Sequence, residues 1–305
     1  MSDINLKANL SNEIINQQTT ELATLDKELT DCLTRNHYQI LSYICNGSTC
    51  SVYKIVDINQ TMLAAKIIDH RRIVPKFREQ LLPNELMITR MVSHSNIIQI
   101  ENVLQIDNYS IIISELAIDG DLLRFIQQTE QPLIDKYRKW FTDTTQGVAY
   151  LHSKGIGHRD IKADNVLLCN GGIAKLADFG YAILTLDLRG RVQLCTTFCG
   201  TPEYAAPEVL RHIPYNVTVS DCFSLGTLLY LLVTRKLPFG CGKTIRTKEG
   251  AFQQYKRIMA KNWAVCGEIE KDPNLYSLID QLLHPDVKYR ISAEQVLLHP
   301  WIKQN

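Results

Sequence analysis

The sequence predicts an α+β chain of two lobes: a small, mostly antiparallel β lobe with one key helix, then a larger, mainly helical lobe. Three observations predict it. Up to about residue 115 the apolar residues fall in short runs broken by turn residues, the mark of strands. Beyond that point they recur at helical spacing, as in KYRKWFTDTTQGVAYLHS, the mark of buried helices. Between the helical stretches lies the polar octet His158–Asn165, HRDIKADN, followed about a dozen residues later by Asp178-Phe179-Gly180.

A chain of 305 residues is long enough for two lobes with a good core. Hydrophobic residues make up 45% and charged residues 21%, as in ordinary globular chains. With 33 basic against 32 acidic residues there is no global field to recruit nucleic acid or an anionic membrane, so neither is expected as a partner. Nine cysteines without a CxxC pair point to a reduced compartment rather than a disulfide framework. The N-terminus lacks a signal pattern and no later run approaches a membrane span. The expected location is the cytoplasm, with the nucleus also open, and the expected state is a monomer.

Residues 1–37 read as a polar leader, with Leu22, Leu25, Leu29 and Leu33 at helical spacing. A docked amphipathic helix and a largely mobile segment both remain open, and no chemistry is assigned to it. From Tyr38 the runs YQILSYI, CSVYKIVDI and MLAAKII read as consecutive strands, with a turn at DINQT. CNGSTCSV joins the first two. A loop that covers nucleotide phosphates needs small residues so that the backbone can come close, and of the three glycine positions Cys45, Gly47 and Cys50 only the middle one is glycine. Lys66 ends a strand, and Glu85 follows on the helix-like REQLLPNELMITRMV, placed to form an ion pair with it. Asn96–Val103 and Ser110–Ser114 supply two more strands. The small lobe is thus expected over about 38–114, a hinge over 115–120 and the large lobe over 121–302. Hinge backbone groups at Glu115 and Ala117 are expected to pair with an adenine edge, Asp121 to lie near a ribose, and the small Ser114 to leave room at the back of the nucleotide pocket.

Phosphoryl transfer needs positioning and charge neutralisation more than covalent chemistry. The octet and the DFG supply the residue types: Asp160 to take the proton of an attacking hydroxyl, Lys162 to meet the γ-phosphate, and Asn165 with Asp178 to hold Mg²⁺ through oxygen. A lysine two residues after the aspartate suits serine and threonine acceptors. Arg159 beside the site calls for an anionic partner, and Thr197 in CTTFCGTPEY is the candidate regulatory phosphosite. Thr201 is expected near Asp160, Glu208 with Arg290 as a buried pair, and Asp221 as a brace for the octet.

Together these motifs resemble the eukaryotic protein kinases over roughly 38–302. KIIDHRRIVPKFREQLLPNEL, SELAIDGDLLRFI and TFCGTPEYAAPEVLRHIPY are similar to the testis-specific serine/threonine kinases of the calmodulin-dependent-kinase-like group. The resemblance implies a two-lobed kinase fold using ATP and Mg²⁺, protein substrates, activation at Thr197 by another kinase or by autophosphorylation, and a role in male germ-cell differentiation and sperm formation. The implied nucleotide-binding residues are Ile44, Gly47, Val52, Ala64, Lys66, Glu85, Glu115, Ala117, Asp121, Leu167 and Asp178. Asp121 and Asp164 suggest a substrate arginine before the phosphoacceptor.

The chain departs from the family pattern at Cys45 and Cys50, at Phe223 where tryptophan is usual, and at Thr89, a polar residue in an apolar position. The inserted GCGKTIRTKEG contains GKT, but Leu237 stands where a Walker A loop needs glycine, so a P-loop is rejected. Cys195 and Cys199, which flank Thr197, read as bystander thiols rather than a redox switch. The alternative function is a pseudokinase scaffold, motivated by the worn glycine loop and Thr89. Against it stand Lys66, Glu85, Asp160, Asn165 and Asp178, all present.

Overall fold

The structure is a computed structural model that describes residues 26–47, 49–75, 77–240 and 247–304. The chain forms two compact units, one running to Gln80 and including Gln99–Leu116, the other comprising Leu81–Ile98 and the chain from Ala117.

The first unit is a five-stranded antiparallel sheet, β1 (Gln39–Asn46), β2 (Cys50–Val56), β3 (Met62–Asp69), β4 (Ile100–Ile106) and β5 (Tyr109–Glu115), in the order β1-β2-β3-β5-β4. The DINQT turn forms as expected: Asp57 Oδ1 accepts from Asn59 N–H at 2.9 Å and Thr61 N–H at 2.7 Å. The register pairs Val52 with Lys66, Lys66 with Ile112 and Ala64 with Ser114. Because side chains alternate along a strand, Val52, Ala64, Lys66, Ile112 and Ser114 share one face. The other face carries Tyr53, Ile55, Leu63, Ala65, Ile67, Ile111 and Ile113, all buried in one cluster.

Helix α1 (Lys27–Arg35) covers that second face. Leu29, Cys32 and Leu33 enter the cluster at 2%, 5% and 1% exposure. Asp26 caps the helix by accepting from Glu28 N–H at 3.0 Å, and the same carboxylate accepts from Tyr109 Oη at 3.0 Å and pairs with Arg71 at 3.3 Å. Of the two options for the leader, the docked helix holds over Lys27–Arg35; Leu22 and Leu25 lie outside the described residues.

A π-turn at Phe77–Leu81, at the end of the first unit's opening stretch, leads into α2 (Leu82–Met91) of the second, whose early Pro83 lacks an N–H and so suits the start of a helix. The expected strand from Asn96 begins only at Ile100. Asn96–Ile98 are drawn elsewhere: Asn96 accepts from Leu176 N–H at 2.9 Å, its amide donates to Ala174 O at 3.2 Å, and Ile98 N–H donates to Leu176 O at 3.0 Å.

The remaining elements are α3 (Leu122–Gln128), α4 (Ile134–Ser153), β6 (Ile156–Gly157), β7 (Val166–Cys169), β8 (Ile173–Leu176), β9 (Ile183–Leu184), α5 (Pro207–Leu210), α6 (Val217–Thr234), α7 (Lys248–Met259), α8 (Glu268–Lys271), α9 (Pro273–Leu282), α10 (Ala293–Val296) and α11 (Pro300–Lys303). The core gathers around α6, in which Phe223, Leu225, Leu228, Leu229 and Leu232 are fully buried. With a mean hydropathy of 1.6 over 18 residues, α6 has the length and composition to cross a membrane, which the sequence reading did not foresee. Most of that stretch is instead buried inside the unit. Gly226 permits a close crossing with α9, since a Cβ there would sit 2.8 Å from the Leu282 Cβ. The GKT tripeptide of the insertion lies outside the described residues.

Candidate active site

The octet His158–Asn165 fills the link from β6 to β7, and each of those strands is anchored by pairing, β6 with β9 and β7 with β8. Asp221, buried in the first turns of α6, accepts from His158 N–H at 2.8 Å, Arg159 N–H at 2.9 Å and His152 Nε2 at 3.0 Å. One carboxylate thus holds the loop where Arg159 takes a left-handed φ of 67°, a conformation few non-glycine residues adopt. The His158 ring faces Ala177 O at 3.1 Å and lies 5.6 Å from the Phe179 ring, tying the octet to the DFG.

Asp160 sits at the convergence of three donors. Thr201 Oγ1 donates to its Oδ1 at 2.7 Å, while Lys162 Nζ lies 2.8 Å and Asn165 Nδ2 3.1 Å from its Oδ2. Asn165 Nδ2 also donates to the Asp160 carbonyl at 2.8 Å. The amide nitrogen of Asn165 is therefore committed to Asp160, and its side-chain oxygen is the atom suited to a cation. Burial disfavours the Lys162 charge, but the hydrogen bond and charge of Asp160, with Asp164 and Asp178, outweigh it and hold the ammonium above its usual range. Lys162 Nζ also reaches Thr201 Oγ1 at 2.9 Å.

Asp178 has φ 64°, and its Oδ1 accepts from Gly180 N–H at 3.2 Å. A Cβ on Gly180 would lie 3.2 Å from Asp178 Oδ1 and 3.5 Å from Glu85 Oε2, so the two carboxylates converge on this glycine. Glu85 is 1% exposed and Thr89, one turn on, is 2% exposed. Among the described residues no group of three or more His, Cys, Asp or Glu could hold a metal ion by itself. An amide oxygen and a carboxylate nevertheless fit Mg²⁺, which takes few protein ligands and completes its shell with phosphate and water.

The other expected nucleotide residues divide between the units. In the first, Val52, Ala64 and Lys66 share a sheet face, Ile44 lies on β1, and Gly47 closes the β1–β2 turn by donating to Cys50 O at 2.8 Å. Glu115 Oε1 accepts from Gln99 N–H at 2.7 Å. In the second, Ala117 follows the switch between units, Leu167 lies on β7, and Glu85 lies on α2. Asp121 caps α3, its Oδ1 accepting from Arg124 N–H at 2.8 Å, a duty not foreseen beside its expected place near a ribose.

Arg159 has an anchor and a further partner. Its Nε donates to Tyr181 O at 2.6 Å, and Nη1 lies 3.3 Å from Cys195 Sγ. Thr197 is exposed, and its carbonyl accepts from Tyr215 Oη at 3.0 Å. Two contacts of the octet escaped the sequence reading. Cys195 was read as a bystander but contacts Arg159. Gly200 has φ 82°, and a Cβ there would lie 2.2 Å from Arg159 O, so only glycine fits; the signal available was a lone glycine beside Thr201. Further out, Arg290 Nη1 and Nη2 grip both oxygens of Glu208 at 2.6 and 3.1 Å.

A family model for the protein kinase domain matches residues 38–302. The chain belongs to the protein kinase family. Human testis-specific serine/threonine-protein kinase 1 is 35% identical over 243 residues, covering 79% of this chain and 64% of its own length. Mouse testis-specific serine/threonine-protein kinase 3 is 33% identical over 275 residues, covering 89% of this chain and 98% of its own. The serine/threonine-protein kinase kin-29 of Caenorhabditis elegans is 32% identical over 247 residues, which is 80% of this chain but 28% of that protein. Against the first of these relatives, then, this kinase domain spans a little under two thirds of the length. The antiparallel five-stranded sheet and the helical second unit are those of a protein kinase domain.

Proposed function

We propose that this kinase domain transfers the γ-phosphoryl group of ATP to serine and threonine hydroxyls of proteins. The observation that carries the reading is Asp160, with Thr201, Lys162 and Asn165 all directed at its carboxylate. In this reading Asp160 accepts the hydroxyl proton, Lys162 neutralises charge on the γ-phosphate, and Thr201 fixes the orientation of Asp160. Asn165 and Asp178 hold Mg²⁺, which supplies charge neutralisation on the phosphates when bound. Lys66 grips the α- and β-phosphates. Ile44, Gly47, Val52, Ala64, Glu115, Ala117, Asp121 and Leu167 form the rest of the nucleotide site.

Phosphate on Thr197, added by another kinase or by the chain itself, activates it through Arg159. The carboxyl of Asp164 is pushed above its usual range by desolvation, opposed by a backbone hydrogen bond and Lys162, with the like charges of Asp121 and Asp160 adding to the rise. An arginine on the substrate side relieves that repulsion, which supports selection of arginine before the phosphoacceptor. The words testis-specific in the relatives' names support a role in male germ-cell differentiation and sperm formation. The free thiols of all eight described cysteines go with a cytoplasmic place of work.

The test is phosphate transfer from Mg²⁺-ATP to a peptide library by the purified chain, before and after phosphorylation at Thr197. Asp160→Asn is expected to lower kcat by about 10³-fold or more while nucleotide binding persists. Nucleotide binding without transfer by the Thr197-phosphorylated wild type contradicts the reading and favours the scaffold.

A further inference from the structure

A surface helix usually keeps one apolar stripe for the core and is polar elsewhere; α7 carries two such stripes. Gln254 and Ile258 are buried on the inner one, and Tyr255 packs partly against the core beside them. Phe252, Lys256 and Met259 follow at helical spacing on the next stripe, with Tyr255 at its edge. Phe252 is 50% exposed and Met259 48%. The rings of Phe252 and Tyr255 run nearly parallel, 17° apart in plane with their centres 6.5 Å apart.

Each ring carries a cation. Lys256 Nζ lies 4.4 Å from the centre of the Phe252 ring, and the Arg211 guanidinium lies 5.5 Å from that of Tyr255. Arg211 comes from the link after α5, where Ile213 is also exposed, so two segments of the chain build the surface. Neither cation has a carboxylate partner among the described residues. Glu249, the one carboxylate of α7, accepts instead from Gln253 Nε2 at 2.5 Å. A ring face attracts a cation but leaves its remaining donors free for an anion. The helix is also tied to the candidate site: Gln254 Nε2 donates to Pro202 O at 3.0 Å, one residue from Thr201.

We infer that this surface docks a partner protein through an acidic amphipathic helix. Apolar side chains of that helix cover Phe252 and Met259, and its carboxylates meet Arg211 and Lys256. Charge complementarity selects this occupant, because two cations without counter-ions flank an apolar stripe. The helical spacing of the stripe suits a second helix crossing it, and aromatic residues with arginine are the types in which binding energy concentrates. A second copy of the chain fits poorly: a two-fold contact sets the same patch against itself and brings like charges together. An anionic lipid or nucleic-acid surface fits poorly too, since two cations release few counter-ions and phosphates leave the rings uncovered. Phe252 and Lys256 belong to neither the nucleotide nor the catalytic residues proposed above, so docking and phosphate transfer can fail separately.

The experiment selects from a displayed library of random peptides, long enough for several helical turns, on the full chain and on Lys256→Glu in parallel. Peptides retained by the wild type and lost on Lys256→Glu are expected to carry apolar residues at helical spacing with Asp or Glu beside them. The affinity of one such synthetic peptide is then read by fluorescence anisotropy. Its Kd is expected to rise about tenfold in Phe252→Ala, the loss of an aromatic anchor, and by a similar factor in Lys256→Glu. Replacing the peptide's carboxylates by lysine is expected to lose wild-type binding and to regain it on Lys256→Glu, which a merely structural role for Lys256 would not produce. Both substitutions fall on exposed side chains, and urea denaturation is expected to place them near wild type. No peptide that tells wild type from Lys256→Glu, a selected set free of carboxylates, or a charge swap without rescue each overturn the inference. A dimer in sedimentation that Phe252→Ala dissolves assigns the face to a second copy and overturns it. Tighter binding to phosphatidylserine vesicles than to any selected peptide does the same in favour of a membrane. Should Phe252→Ala fail to fold, the charge swap at Lys256 still decides.

Discussion

At the scale of single residues, the site depends on the contacts that Gly200 and Thr201 make with the octet. Gly200 combines a left-handed φ with a carbonyl 2.2 Å from where its Cβ would be, and Asp160 Oδ1 lies 3.4 Å from that same point. Gly200→Ala must therefore displace either the Arg159 peptide or its own segment. The expected loss is about 2 kcal/mol of stability from backbone strain alone, read by urea denaturation, with kcat falling further than stability explains. Full activity in this variant would mean that Thr201 keeps its place without Gly200. Thr201 offers a finer test. Its hydroxyl donates to Asp160 and accepts from Lys162, and hydrogen bonds to charged groups contribute about 1.5–3 kcal/mol. Thr201→Ala is accordingly expected to lower kcat by about tenfold or more, whereas Thr201→Ser, which keeps the hydroxyl, stays close to wild type. Equal losses in both would assign the effect to packing instead.

Among the described elements, α1 is the one that lies wholly outside the matched kinase region, and its role is to seal the sheet face that carries Ile55, Ala65 and Ile111. Leu33 is 1% exposed, so Leu33→Ala leaves a cavity against a fixed sheet and is expected to cost about 2–5 kcal/mol. Chemical denaturation reads this, with Arg35→Ala on the exposed side as a control near zero. The same element shows what a sequence does and does not disclose. The spacing of Leu29 and Leu33 announced a helical stripe, but a stripe does not say which surface accepts it, and the Asp26–Tyr109 contact that fixes it spans 83 positions. The strands were legible because alternation and the DINQT turn are local. The strand from Asn96 was misplaced because its hydrogen bonds go to Ala174 and Leu176, partners no local pattern reveals. In the site, the octet and DFG were legible as spaced polar residues, and Asp221 as a brace. The Arg159–Cys195 contact was not, since it depends on how the segment around Tyr215 folds back.

Across the molecule, the second unit closes on itself through one buried pair. Glu208 on α5 and Arg290 near the C-terminal end are 82 positions apart, and the Arg290 side chain is wholly buried. Arg290 also donates to Val219 O at 3.1 Å and His284 O at 3.0 Å, and its guanidinium lies 5.1 Å from the centre of the Phe223 ring. Phe223 thus fills the place of the usual tryptophan by supplying an aromatic face to this cation. Breaking the pair from one side leaves a buried charge with carbonyls alone, so Glu208→Ala is expected to cost about 3–5 kcal/mol. Replacing both partners by apolar residues, Glu208→Leu with Arg290→Met, removes the desolvated charge together with its counter-ion and is expected to recover much of that loss. Denaturation of Glu208→Leu, of Arg290→Met and of the double variant gives the coupling directly. A double variant no better than the sum of the singles would show that the carbonyl contacts and the Phe223 face, rather than the charge pair, hold the C-terminal segment to α5.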